Sequence, residues 1–409
     1  MPPLKMVDDI ISASKCGPTT VALNAAVNSF VERKKLKLSA EKCARIHIGS
    51  KHRNHECPSL KVHTETMKNS DKEKYLGDYV TSKANANDTL EARRIRAYAI
   101  LSEIRAILSE IPLGKWKLEI GLALRDAWFL NGILFNSEVW NTYAEKHIED
   151  LNVIDHMILK TILGAQSKVV TETLYLETGA MSIKHVISAR RMIYLKSILS
   201  KHEDEVVPKV YFAMKKSPLK GDWYKLVESD FEKIGMTVDE TAIKEADLMT
   251  FKNHIKKSVW NVFFNQLQER KLTHTKVQNI VYDGSRKPQP YLLNTKFDNK
   301  MCSLLFNLRC KSVNSFTDNF HTWYGKEPPC RLCKKYRDSQ EHALVCDVIA
   351  KELTENQLQI LNGTKYSDIF GTVEEQEGIT KMYQIILLIR DKILSPSQGL
   401  PGQDNTGPD

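Results

Sequence analysis

The stretch Lys5-Met6-Val7-Asp8-Asp9-Ile10-Ile11 decides how the chain is read. Two adjacent carboxylates interrupt an apolar run. Without them the run reads as a buried strand. An ionised carboxylate is rarely buried unless it is paired or bound to metal. The pattern therefore predicts a β-hairpin over residues 4–15, with Asp8 and Asp9 exposed at its turn, where a divalent cation can reach them.

Working outward, Gly17-Pro18-Thr19-Thr20 ends the hairpin, and Thr19 or Thr20 is placed to cap a helix over 21–36. Residues 43–48, 60–62 and 75–80 read as short strands. After Ala84 the apolar period becomes helical. Asp88 is placed to cap a helix through Leu108. Residues 115–140 read as one long helix, with Trp116, Ile120, Leu124, Trp128 and Ile133 on its apolar side. Further helices are expected over 147–163, 182–199, 223–234, 248–269 and 296–308. The segment Asp283-Gly284-Ser285-Arg286-Lys287-Pro288-Gln289-Pro290 has the composition of a linker. Residues 395–409 have that of a disordered tail. The fold class is α+β, predominantly α.

The order of these pieces carries a resemblance. Asp8-Asp9 is followed by a helix, then by Lys42 entering a strand, then by Tyr75-Leu76-Gly77. This resembles motifs C, D and E of a reverse transcriptase palm. Later stretches extend the likeness: Tyr175-Leu176-Glu177-Thr178-Gly179, Arg190-Arg191-Met192-Ile193-Tyr194-Leu195, and Lys220-Gly221-Asp222-Trp223. Together they resemble the C-terminal part of a non-LTR (LINE-like) retrotransposon polyprotein over about residues 3–350. The resemblance implies a palm remnant (1–84), a helical thumb (85–200), a helical linker region (201–325) and a small zinc knuckle with a helical tail (326–394).

It also implies roles. Asp8 and Asp9 would hold Mg2+ in a complete palm, because a two-metal polymerase site needs hard carboxylate ligands. Lys42 would be the general acid toward pyrophosphate. Tyr75, Leu76 and Gly77 would form the primer grip. Met6-Val7 stands where the family more often has an aromatic and a small residue. Only seven residues precede Asp8, so motifs A and B and the fingers are not represented. The expected function is that of a C-terminal fragment of an RNA-directed DNA polymerase, inactive alone. The expected partners are an RNA template and a DNA primer or target. The alternative is a non-catalytic nucleic-acid-binding protein derived from a degenerate or domesticated element.

A second constellation stands on spacing. Cys330 and Cys333 form a C-x2-C pair, followed by His342 and Cys346 one helical turn apart. Three thiols and an imidazole can meet around one tetrahedral ion, and that soft set favours Zn2+ over Mg2+. Lys334, Lys335, Tyr336 and Arg337 lie inside the knuckle, where charge and an aromatic can grip nucleic acid. Lys215, Lys216 and Lys220 form a second basic cluster. The scattered Cys43, His47, His52, His55 and Cys57 lack knuckle spacing and read as chance.

Composition sets the frame. Lys and Arg number 59 against 50 Asp and Glu, a net charge of +9, which favours a polyanionic partner. Eight cysteines in 409 residues are too sparse for a secreted disulfide scaffold. The expected setting is intracellular and reducing, nucleus or cytoplasm. No run of about 18 apolar residues is present, so no membrane partner is expected.

Overall fold

The computed structural model describes residues 4–6, 9–14, 16–48, 58–83, 87–111, 115–140, 145–166, 168–219, 222–316 and 328–395. The chain is mainly helical, with its short strands confined to the N-terminal part.

Strands Leu4–Met6 and Asp9–Ile11 pair antiparallel, with Met6 opposite Asp9. The expected hairpin is therefore present. Asp8 lies outside the described residues, and only the backbone of Asp9 is described. The next helix is Gly17–Arg33, which starts earlier than the sequence suggested. Pro18 is in its first turn, where a missing N–H goes unnoticed. Thr20 thus sits inside the helix, and its hydroxyl donates to the Cys16 carbonyl at 2.9 Å.

Six more strands follow, paired two by two. Ala44–Arg45 runs parallel to Lys68–Asn69, and Lys61–Val62 pairs with Glu65–Thr66. Lys72–Tyr75 pairs with Asp78–Thr81. The expected single strand over 75–80 is in fact this hairpin's turn and flanks. Leu76 (φ 48°) and Gly77 (φ 89°) both take the positive φ that a two-residue hairpin loop with the right twist requires.

The helical body begins with Asn87–Glu110, so Asp88 lies within its first turn rather than before it. Helix Lys115–Leu124 widens into a π-helical stretch, Arg125–Leu130, and ends with Asn131–Ile133. It stops short of the expected Trp140. Asn136 enters the left-handed region, and Ser137–Val139 forms a 3-10 turn. Gly121 permits a close crossing: a Cβ there would stand 2.7 Å from Ile162 Cγ1 in helix Glu145–Leu163.

Buried charge ties this region together. The Arg125 guanidinium donates to both Asp155 oxygens at 2.6 and 2.7 Å and to the Met181 carbonyl at 2.6 Å. The Tyr175 hydroxyl adds a longer bond to Asp155. A bidentate, fully bonded pair of this kind is what lets two charges leave water.

Helices Thr171–Thr178 and Ile183–Leu199 lead to Val206–Lys216, Trp223–Lys233, Glu240–Glu245 and Leu248–Leu272. The Lys196 ammonium is buried and donates to the carbonyls of Ile243, Lys244 and Ala246. The segment 283–290 is not a free linker. Trp260 Nε1 donates to the Gly284 carbonyl at 2.8 Å, and the Gln289 amide donates to the Glu177 carbonyl at 2.8 Å. Glu177 is itself buried, accepting from Tyr282 Oη at 2.8 Å and Arg309 Nε at 3.1 Å.

Helix Asn299–Arg309 and the C-terminal helix Val373–Leu394 complete the body. One contiguous apolar cluster runs from Leu90 to Ile386. The described parts of 87–200, 201–325 and 326–394, expected as separate regions, therefore share one core. Residues 396–409 of the expected disordered tail lie outside the described residues. Among the described residues no helix is long and apolar enough to cross a membrane.

Candidate metal centre

Cys330, Cys333, His342 and Cys346 come together as their spacing suggested. Their ligand atoms all lie within 4.8 Å of one another. Cys333 Sγ is 3.2 Å from His342 Nε2. A tetrahedral ion with M–S near 2.3 Å and M–N near 2.0 Å needs ligand separations of about 3.5–3.8 Å. The cluster needs only small movements to close on an ion.

Local backbone chemistry builds the cluster. Pro329 bridges Arg337 in antiparallel fashion, and the Lys334 amide donates to the Cys330 carbonyl at 2.9 Å. Lys334 takes a left-handed φ of 60°, which folds the C-x2-C turn back on itself. Ser339 caps the turn of helix Gln340–Ala343 by accepting from the His342 amide. That cap places the imidazole beside the Cys333 sulfur.

The thiols differ electrostatically. Burial alone would raise Cys333, but the Lys335 and Tyr336 amides, then His342 and Cys330, outweigh it and bring it down to about 6. The lowering favours the thiolate, the form that binds metal. Burial pushes Cys346 up to about 11, and the neighbouring sulfurs add to that, against the Ile349 and Val348 amides. A bound cation would reverse that penalty.

Two residues behind the centre carry no motif signal. Asp338 and Arg390 are buried, and Arg390 Nη2 bonds the two Asp338 oxygens at 3.0 and 3.1 Å. Arg390 also lies 4.5 Å from the centroid of Phe316. Tyr383 Oη donates to the Gln340 carbonyl at 2.6 Å. The C-terminal helix thus holds the loop between the second and third ligands.

The remaining sequence candidates are dispersed. Lys42 is exposed at the end of the 3-10 turn Ala40–Lys42. Tyr75 closes a strand, while Leu76 and Gly77 form the hairpin turn. The Gly77 carbonyl accepts from Arg93, which is also paired with Asp78 at 2.9 Å. Lys334, Lys335, Tyr336 and Arg337 are exposed, and the Tyr336 ring is 5.3 Å from that of His342. Lys335 is paired with Asp347 at 2.9 Å, and Lys215 with Glu240 at 2.7 Å. Lys216 is exposed; Lys220 lies outside the described residues. Of the scattered Cys/His set, Cys43 and His47 are described, and neither joins a metal-ligand group among the described residues.

No protein family matches the chain, and neither does any curated protein or solved structure.

Proposed function

We propose that this chain is the C-terminal part of a non-LTR-type RNA-directed DNA polymerase, and that it holds nucleic acid on a helical body closed by a Zn2+ knuckle. The observation that carries the reading is the convergence of Cys330, Cys333, His342 and Cys346 within 4.8 Å. Three sulfurs and one nitrogen suit Zn2+. Closed by four protein ligands, the site is structural: it fixes a loop instead of activating water.

The order of the N-terminal pieces supports the polymerase part of the reading. Asp9 starts the second strand of a hairpin, and Leu76-Gly77 forms the two-residue turn of another. In this reading Asp8 and Asp9 serve as Mg2+ ligands in a complete palm, and Lys42 faces pyrophosphate. The hairpin around Gly77 supports the primer terminus through its backbone. Exposed Tyr336 supplies a stacking face.

Elemental analysis of protein purified without chelator tests the centre. About one zinc per chain is expected, lost in Cys333→Ser. Less than about half an equivalent, unchanged in that variant, removes the knuckle. The genomic frame upstream of codon 1 tests the polymerase part. An open frame encoding a strand with a further aspartate is expected. Stop codons there leave a nucleic-acid-binding protein without catalysis.

A further inference from the structure

Helix Leu248–Leu272 differs from the other long helices in how its cations are placed: helix Ile183–Leu199 also lacks acidic residues, but its Arg191 pairs with Asp230 and its Lys196 donates to three carbonyls. Helix Leu248–Leu272 has no acidic residue from Leu248 through Gln268, while Lys252, Lys256 and Lys257 fall in that span. Three other helices carry internal ion pairs: Arg94 with Glu91, Lys225 with Glu228, Lys381 with Glu377. Among the described residues, Lys252, Lys256 and Lys257 have no ion-pair partner. Lys252 and Lys256 stand four residues apart, a like-charge spacing that costs an isolated helix about 0.2–0.5 kcal/mol. The sequence has not been arranged here for helix stability.

The outward face is equally distinctive. Asn253, Lys257, Asn261 and Asn265 recur every four residues and are all exposed, with His254 and Lys256 beside them. The opposite face, with Phe251, Ile255, Val259, Phe263 and Leu267, is buried. The backbone is therefore fixed by the core while the amides and ammoniums point out. At the far end, Arg270 is exposed, and so are Lys184 and Lys233. All three lower His185 further after its burial, against a Gln266 hydrogen bond that raises it. Lys233 is also 3.6 Å from Asp230. The helix has 25 residues, and at 1.5 Å each it is about 37 Å long, close to one turn of duplex.

We propose that this face of helix Leu248–Leu272 is a nucleic-acid contact surface, with Lys256 and Lys257 on phosphates and Asn253, Asn261 and Asn265 bonding phosphate, sugar or base edges. This deepens the nucleic-acid-binding reading above and rests on it. Lysines neutralise phosphates and release counterions. Carboxamides both donate and accept, the capacity that sugar and base edges require. An acidic membrane surface would use the lysines but has no use for three outward amides. The basic clusters picked from sequence are partly neutralised, Lys215 by Glu240 and Lys335 by Asp347. That leaves the helix as the stronger cationic face.

The test is binding of the full chain to single-stranded RNA, single-stranded DNA and duplex DNA from about 50 to about 200 mM salt. Lys256→Ala/Lys257→Ala is expected to weaken single-strand binding about tenfold at low salt. It should also flatten the log–log salt slope by about 1.4, two phosphates' worth. Asn261→Ala/Asn265→Ala is expected to weaken binding with the slope unchanged, since amides release no counterions. Both pairs are exposed, so melting should be unaltered. If both variants bind like the parent while Lys334→Ala/Lys335→Ala weakens it, the helix proposal is wrong and the broader reading stands. If the parent binds none of the three nucleic acids, both fall. Lysine-dependent binding to phosphatidylserine vesicles without nucleic-acid binding would also overturn the proposal.

Discussion

The N-terminal part, residues 4–83, and the helical body from Asn87 onward are held together differently. The first has four two-stranded sheets, none joined to another among the described residues. Its described buried apolar residues are few: Val31, Leu60 and Val62. The body has one apolar cluster from Leu90 to Ile386, crossed by buried ion pairs. Two-stranded sheets are marginal in water unless a helix or further strands cover them. The body is thus the stable frame, and the N-terminal part depends on what it packs against. Asp78 is its visible anchor, bonded by Arg93 at 2.9 Å and by Asn136 at 2.6 Å.

The largest effect that can sharpen this contrast is expected at Asp155. Asp155→Ala leaves the buried Arg125 guanidinium with only the exposed Asp126 carboxylate, 2.8 Å away, as a counter-charge. It should lower stability by about 3–5 kcal/mol in chemical denaturation. The matching change on the N-terminal side, Asp78→Ala, breaks a pair that is 14% and 25% exposed. It should lower global stability by about 1 kcal/mol, while loosening the hairpin as seen by hydrogen exchange. Equal losses in the two variants would erase the distinction.

A pH titration should act on the body next. His185 is pushed down to about 4, chiefly by burial. Its folded value lies below the unfolded one near 6.5, so the folded state favours the neutral ring. The stabilisation is complete above pH 6.5 and is lost as pH falls toward 4. Allowing for partial exposure, the loss is roughly 2 kcal/mol. Denaturation curves should show the loss shrink in His185→Gln; an identical pH dependence would reassign it to the carboxylates.

The smallest effect is expected at the hairpin turn. Leu76 takes φ 48° without being glycine. Leu76→Asn suits that conformation and should stabilise the hairpin by about 0.5–1 kcal/mol. Slower local hydrogen exchange at 72–81 with little change in global melting is the expected sign that this hairpin opens independently.

What the sequence revealed follows from how local each signal is. The four metal ligands lie within 17 residues, and their spacing alone brings them together. Helices such as 147–163 and 182–199 were legible because one apolar stripe faces one core. The helix end at Ile133 was not, because the apolar period continues past it and only Asn136 breaks the backbone. Leucine at a positive φ is no turn signal, so Tyr75–Val80 read as one strand. The stretch 283–290 reads as a linker because its Gly, Ser and Pro content says nothing of the carbonyls it will meet. Asp338 and Arg390, 52 residues apart, are invisible as a pair until folded. The acid-free run from 248 to 268 was in plain sight but means little until its lysines prove unpaired.

The buried Glu177 has a consequence for how the chain is made. Its partner Arg309 is 132 residues further on. At synthesis rates of about 5–20 residues per second, Arg309 appears about 7–26 s after Glu177. During that interval burying the carboxylate without Arg309 is unfavourable, which disfavours early docking of the segment around Thr171–Thr178. Final closure of the core waits for the late helix Asn299–Arg309 to emerge.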